Sequence, residues 1–340
     1  MSNRKWGIVV AIALCGVGRL GADDAEDRAV AAVEKLGGQV LQDGRDVSLR
    51  GAAVTDADLK VLAPFKGLTN LTLNDTEVTD AGLKEVARIP GLVFLSLSGS
   101  KITDAGLKEL APLKGLVYLN LGRTTITDAG LKELVPLKSL ATLILDGTDI
   151  TDAGLKELVQ LRGVTTLNLA GTRVTDAGMK ELPQLKGLIF LHLGETKISD
   201  VGIQELARVK GLHTLILDGT EVTDASFKEL ARLERLCDLN LNHTKVTGAG
   251  SKALAPLKGL ISLHLSETGV ADAPLKELSQ LKGLTFLGLS GTKVTDTGVK
   301  ELHALARLHT LYLTGSDVTD AGVKDLEKAL PKCQVVREPK

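Results

Sequence analysis

Shifted by 24 residues, this sequence lies almost on top of itself. The clearest copy is GLVFLSLSGSKITDAGLKELAPLK, residues 91–114, and the frame holds from Gly67 to Leu330, which makes eleven units of 24. A degenerate twelfth unit precedes them at Asp43–Lys66. Few architectures fit a fixed period in this range. Each unit is too small to bury its own apolar face, so neighbours must cover one another, and the product is a solenoid. At 340 residues the length alone would suggest two domains, but the unbroken frame argues for one elongated domain.

Within Gly91–Lys114, Leu95 and Leu97 alternate with Phe94, Ser96 and Ser98, the period of a short strand. Gly99 and Ser100 turn the chain, and Ile102 points back to the core. Thr103 and Asp104 are of the types that cap helices, because their oxygens accept the free amide hydrogens of the first turn. Asp104 also suits the positive end of the helix dipole. Leu107, Leu110 and Leu113 form the buried stripe of a short helix, Lys108 and Glu109 face water, and Pro112 with Gly115 ends it. The few apolar side chains of one unit cannot offset the entropy of ordering its backbone, so one unit alone should not fold. Twelve stacked strands would extend about 60 Å at about 4.8 Å per step.

The consensus LxxLxLxxTx(V/I)TDAGLxxL resembles the leucine-rich repeat over residues 43–336. Its TDxGLxxL part is similar to repeats of secreted bacterial leucine-rich repeat proteins and of F-box-type repeat proteins. One departure is systematic. Where that family often has Asn or Cys at the turn, this chain has Thr or Ser, as at Thr76, Ser100, Thr148, Thr220 and Ser316. These hydroxyls are expected to form a ladder bonding turn backbones between neighbouring units. No F-box-like segment precedes the repeats, so an adaptor role in ubiquitin transfer is not implied. The resemblance implies an α/β leucine-rich repeat solenoid, an arc or horseshoe. A parallel β-sheet lines its concave face, short helices line its convex face, and the inner face binds another macromolecule.

The ends of the chain read differently. Residues 1–22 have the form of a secretory signal peptide. Arg4 and Lys5 start it, Gly7–Val17 is an apolar run shorter than the roughly 20 residues of a membrane span, and Ala22 is a candidate cleavage residue. The rival reading, a lipoprotein anchored through Cys15, is disfavoured by the large residue in the preceding Ile-Ala-Leu. Residues 23–42 read as an N-terminal cap. Val30, Val33 and Leu36 share one face of a helix stopped by Gly37, and Asp43-Gly44 suggests a hairpin into the first repeat strand. Such a cap covers an otherwise open strand edge. Residues 43–330 are then twelve repeats, and 331–340 a capping strand around Val335 with a polar tail. The expected location is secreted, periplasmic or in the cell envelope, with no membrane span in the mature chain. Cys237 and Cys333 are four repeats apart, roughly 19 Å at about 4.8 Å per strand, too far for a disulfide.

On the strands, residues between and beside the paired leucines point outward. Phe94, Tyr118, Phe190, His192, His264, Phe286 and Tyr312 all fall there, in a chain with only 2% aromatic residues. Aromatics and histidines gathered on one face mark an interaction surface. The plainer alternative is that they tile the sheet and pack on lateral neighbours. His243 is marginal, His213 and His309 sit at strand starts and could point either way, and His303 belongs to the helix side. From the second unit onward the central outward positions hold no Lys or Arg, but Asn, Ser, Thr and Gly with Asp146, Asp218 and Asp238. That argues against nucleic acid, whose phosphates need several cationic contacts, as does a net charge of −1. The expected partner is a protein, with glycan as second candidate.

No catalytic or metal chemistry separates from the repeat. His192 and His264 share a column three units apart, roughly 14 Å at about 4.8 Å per strand, beyond one ion's ligand sphere. The series Asp80, Asp104, Asp128, Asp152, Asp176, Asp200 and Asp224 reads as repeated helix capping, and the Ser and Thr residues fill repeat slots. One unit, Thr247-Gly248-Ala249-Gly250-Ser251, lacks both the capping Asp and the core Leu, and the next has Ala271-Asp272-Ala273-Pro274. It is either a bent or mobile segment or drift tolerated in a long array. The sequence thus points to a monomeric, non-enzymatic recognition scaffold without a cofactor, with Phe190 and His192 as central anchors. The alternative is a structural or self-associating component of an envelope or matrix.

Overall fold

The computed structural model describes residues 24–338. The expected signal peptide and Cys15 lie outside the described residues. Each unit contributes one three-residue strand, a left-handed turn and a short α or 3-10 helix. In chain order the strands are β1 (Gln39–Leu41), β2 (Asp46–Ser48), β3 (Asn70–Thr72), β4 (Phe94–Ser96), β5 (Tyr118–Asn120), β6 (Thr142–Ile144) and β7 (Thr166–Asn168). They continue as β8 (Phe190–His192), β9 (Thr214–Ile216), β10 (Asp238–Asn240), β11 (Ser262–His264), β12 (Phe286–Gly288), β13 (Thr310–Tyr312) and β14 (Gln334–Val336). All fourteen form one sheet in that order. Only β1 and β2 pair antiparallel; every later pair is parallel and in register with the 24-residue shift, so Phe94 faces Tyr118 and Leu95 faces Leu119. Helix α1 (Asp24–Lys35) closes one end with Ala29 and Val33 in the core, and at the other end β14 follows a helix over Asp320–Ala329.

The apolar slots do what their spacing implies. Leu92, Leu95, Leu97, Ile102, Leu107, Leu110 and Leu113 are all fully buried, and the same slots along the array make one continuous core between sheet and helices. Sheet bonding outlasts the three-residue strands. The residue at the turn, such as Gly99 or Arg123, donates its N–H to a carbonyl of the next unit while its own φ is positive. Glycine fits such a site without strain. Asp75, Arg123, Glu195, His243 and Glu267 occupy it with φ between 54° and 58°.

Two expectations about the polar slots are corrected. The turn hydroxyls do not bridge units. Thr148 Oγ1 donates to Leu145 O at 2.6 Å within its own turn, and Thr76, Ser100, Thr220 and Ser316 do the same three residues back. The Thr148 N–H also donates to the Leu145 carbonyl, at a longer 3.3 Å, so the hydroxyl is a local device that reinforces the turn. The aspartates, in turn, do not cap their own helices. The preceding Thr does that, as Thr103 accepts from the Ala105 N–H. The carboxylate instead reaches the next unit: Asp104 Oδ1 accepts from the Thr127 N–H at 2.8 Å and Oδ2 from Thr127 Oγ1 at 2.6 Å. This rung recurs from Asp56–Thr79 to Asp296–Thr319.

The carboxylate also explains the Gly of TDAGL. A Cβ on Gly202 would fall 2.5 Å from Asp176 Oδ1, which accepts from the Gly202 N–H at 3.0 Å and the Ser199 N–H at 2.8 Å, while Oδ2 accepts from Ser199 Oγ at 2.6 Å. Thr therefore caps, Asp bonds forward, Gly makes room for the Asp behind it, and Leu fills the core. The rung is missing where Gly248 and Ala271 replace the Asp and the Thr. There Gly248 and Gly250 have φ of 81° and 82°, Ser251 takes the core Leu slot, and the helix shrinks to a 3-10 turn at Ser251–Leu254.

Candidate functional site

The concave sheet brings the seven outward residues into three groups. On β4 and β5, the rings of Phe94 and Tyr118 stack at 4.1 Å with planes 11° apart. Burial pushes the Tyr118 phenol up from its ordinary pKa. On β8, Phe190 stands between Thr166 and Thr214, and His192 Nε2 lies 3.2 Å from Asp218 Oδ1. That hydrogen bond holds the Asp218 carboxyl below the usual carboxylate range, against the opposing effect of burial. On β11 to β13, His264 and Phe286 rings are 4.4 Å apart, and Phe286 and Tyr312 rings 5.5 Å. Gly288, between His264 and Tyr312 in the register, carries no side chain, so the Phe286 ring can lean across it. The groups are three strands apart, roughly 14 Å at about 4.8 Å per strand. All seven side chains are half-buried, so each lies partly along the sheet.

The other histidines resolve as follows. His213 and His309, at the strand starts, place Nδ1 2.8 and 2.6 Å from the carbonyls of Gly211 and Arg307. His303 is on the convex side with Nε2 3.5 Å from Asp325 Oδ2. Sequence reading did not foresee that β10 and β11 would assemble Ser262, His264 and Asp238. Ser262 Oγ is 2.8 Å from His264 Nε2, and Asp238 Oδ1 approaches the same nitrogen at 3.5 Å. A nucleophile–base–orienter relay needs the carboxylate on the opposite ring nitrogen. With both partners on Nε2, the arrangement holds a histidine on the sheet and does not orient a general base.

Two further sets were not singled out from the sequence. Val93, Val117, Ile189 and Ile261, one residue before their strands, are 38–48% exposed and flank the aromatic column. The left-handed turn residues line the other margin. Asp75 is paired there with Arg123 at 3.1 Å and Arg50 at 3.9 Å, whereas Glu195 lies over Gly219 and Glu267 over Gly291. The sequence signal was a charged residue in the slot that holds Gly in most units.

Among the described residues no group of three or more His, Cys, Asp or Glu could hold a metal ion, and no helix is long and apolar enough to cross a membrane. Cys237 and Cys333 are both free thiols.

A stack of strand–turn–helix units with an open, side-chain-lined inner sheet defines a solenoid of the repeat-scaffold class. The family profile described as leucine-rich repeat region matches residues 81–320, and the chain belongs to the leucine-rich repeat family. Folds of this family typically serve as protein-binding scaffolds and are generally not enzymes. The fold is similar to an internalin (InlF) of Listeria monocytogenes, with a TM-score of 0.65 at 22% identity over 93% of this chain and 95% of that one. It is also similar to a leucine-rich repeat protein of Leptospira interrogans, with a TM-score of 0.59 at 27% identity over 82% of this chain and 74% of that one. No curated protein matches the sequence.

Proposed function

We propose that this protein is a non-enzymatic recognition scaffold that works outside the cytoplasm and holds a protein partner on its concave sheet. One observation carries the reading. The Phe, Tyr and two of the His side chains that interrupt an otherwise small, polar pattern all stand on concave strands, in three groups. The convex side instead presents exposed ion pairs between a helix and the turn that follows it, such as Arg88–Glu85 and Arg208–Glu205. Aromatic side chains bring large area at low entropic cost, the property that makes them anchors. The leader-like residues 1–22 support an extracytoplasmic location.

Affinity capture from a cell-envelope fraction tests this, with the parent protein and a Phe190→Ala/His192→Ala variant side by side. The variant should melt nearly as the parent does, because both side chains lie on the sheet and not in the core. A protein retained by the parent and lost from the variant is the expected result. A partner held equally by both would remove the central anchors from the site. The open edge strand β14 favours a second reading, end-to-end self-association. Recovery only of further copies of the chain, by both proteins, would bring that reading forward.

A further inference from the structure

We infer that the arc flexes at one junction, between the β10 and β11 units, so that the two parts of the concave sheet on either side of it change their relative angle. The inference goes beyond the scaffold reading, because it concerns the arc itself and needs no partner. Among the described residues, the rung from Asp to the next Thr or Ser joins ten successive pairs of units. Between the β10 and β11 units it is absent, because Gly248 has no carboxylate and Ala271 no hydroxyl. Pro274 stands in the slot where Gly202 donates its N–H to the carboxylate behind it, and proline has no N–H to give. All three partners of the rung have therefore gone together. Gly269 also takes the slot from which other units pair across a junction, as Lys101 does with Glu77 and Lys245 with Glu221.

What remains is a junction pinned along the sheet and loosened along the helices. β10 and β11 keep full register, from Asp238 opposite Ser262 to Asn240 opposite His264. The ladder continues past the strands, with the His243 N–H on Ser266 O at 2.9 Å and the Gly269 N–H on Val246 O at 2.9 Å. On the helix side a cavity of about 410 Å³ opens between the units, lined by Gly248, Gly250, Ala271, Pro274 and Glu277 among others. Ser251, in place of the core Leu, is buried but turns back to bond the Gly248 carbonyl in its own loop. Close packing resists bending, and a gap that leaves atoms without partners removes part of that resistance. Gly248 and Gly250, with φ of 81° and 82°, supply backbone freedom, since hinges are a few loop or terminal residues that absorb changes in φ and ψ. The junction lies between the β8 group, Phe190 and His192, and the β11 to β13 group, His264, Phe286 and Tyr312. Bending about the β10–β11 ladder therefore alters the angle between those two groups while each keeps its own geometry.

The test uses the full chain with spin labels carried on ketone-bearing residues, which leave the native cysteines untouched. One pair of labels, at Lys228 and Lys300, spans the junction; a second, at Lys156 and Lys228, spans only intact rungs, and all three positions are exposed on the helix side. Each pair is three units apart, about 24–30 Å at about 8–10 Å between neighbouring helices, a distance that pulsed electron–electron double resonance measures. In the parent, the 228–300 distance distribution should be at least about twice as broad as the 156–228 distribution. Gly248→Asp/Ala271→Thr/Pro274→Gly restores the rung and should narrow the first distribution to the width of the second. Asp176→Gly/Ser199→Ala transplants the break and should broaden the second to about the width of the first. Far-UV circular dichroism confirms that the variants keep the fold, and a loss of fold in one leaves the other decisive. Equal widths in the parent would overturn the inference. So would a 228–300 width that the restored rung leaves unchanged, or a 156–228 width that the transplanted break leaves unchanged.

Discussion

The forward-bonding aspartate and the glycine that accommodates it should behave as one unit. Asp176 accepts three hydrogen bonds from the next repeat, at 2.8, 2.6 and 3.0 Å. Hydrogen bonds to a charged group contribute about 1.5–3 kcal/mol each when fully buried. This carboxylate is half-buried and water replaces part of the loss, so Asp176→Ala should cost about 2–3 kcal/mol in all. In Gly202→Ala the new Cβ would stand 2.5 Å from Asp176 Oδ1, well inside contact. The carboxylate must move and the rung is lost, at a cost of about 2 kcal/mol, offset by the roughly 1 kcal/mol that Ala gains over Gly in a helix. In the double variant no carboxylate is left to displace. The remaining neighbours, Ile198 Cγ2 at 3.1 Å and Met179 Cγ at 3.2 Å, are side-chain atoms that can give. The helix gain then survives, and the double variant should be about 2 kcal/mol more stable than the sum of the single effects predicts. Urea unfolding followed by circular dichroism, with a common slope across the four proteins, measures this. Additivity within about 0.5 kcal/mol would show that Gly202 and Asp176 act independently and would refute the account of the TDAGL motif.

Three further outcomes follow from the same geometry. Thr148→Val keeps the shape but removes the 2.6 Å bond to the buried Leu145 carbonyl, and should lower stability by about 1–2 kcal/mol in the same assay; a neutral result would remove the local role given to the turn hydroxyls. Around the missing rung, amides of residues 247–256 should exchange with deuterium faster than those of 103–112, because a 3-10 turn and two left-handed glycines replace the bonded helix start; equal protection would show that the rung contributes little to local order. Asp218, whose carboxyl is depressed below 3.8 by His192, contributes stability above that ordinary value and loses it as pH falls through the depressed one. Asp218→Asn should therefore cost up to about 1 kcal/mol near neutrality and progressively less in strong acid, and a difference that grew on acidification would contradict the assigned sign.

Fold and core were legible because they follow from periodicity. A 24-residue frame with Leu at fixed offsets leaves one way to bury every apolar slot, and Leu95, Leu107 and Leu110 are buried where the pattern put them. The polar slots were less legible. Thr148 and Asp104 each have a local and an inter-unit partner within reach, and propensity favours the residue type at the slot without saying which partner it takes. The carboxylate went to the next unit because Gly left room for it, a fact of three dimensions. On the concave face, strand alternation identified which side chains point outward, among them Phe94, Tyr118 and Phe190. It could not place the Phe286 ring across Gly288, nor bring Asp238 to the same nitrogen as Ser262, because both depend on side-chain torsions and not on register. The turn acids Glu195 and Glu267 were hidden by their slot, which reads as a loop position until the left-handed backbone is seen to carry it to the edge of the sheet.

The central claim is that the concave sheet, and not the helical face, receives a protein. A photo-crosslinking residue placed at Asn168 on the concave sheet, or at Lys156 on the exposed helix surface, tests it directly in the native envelope fraction. The account predicts a discrete adduct from position 168, lost when Phe190 and His192 are both replaced by Ala, and none from position 156. An adduct from position 156 alone would contradict it.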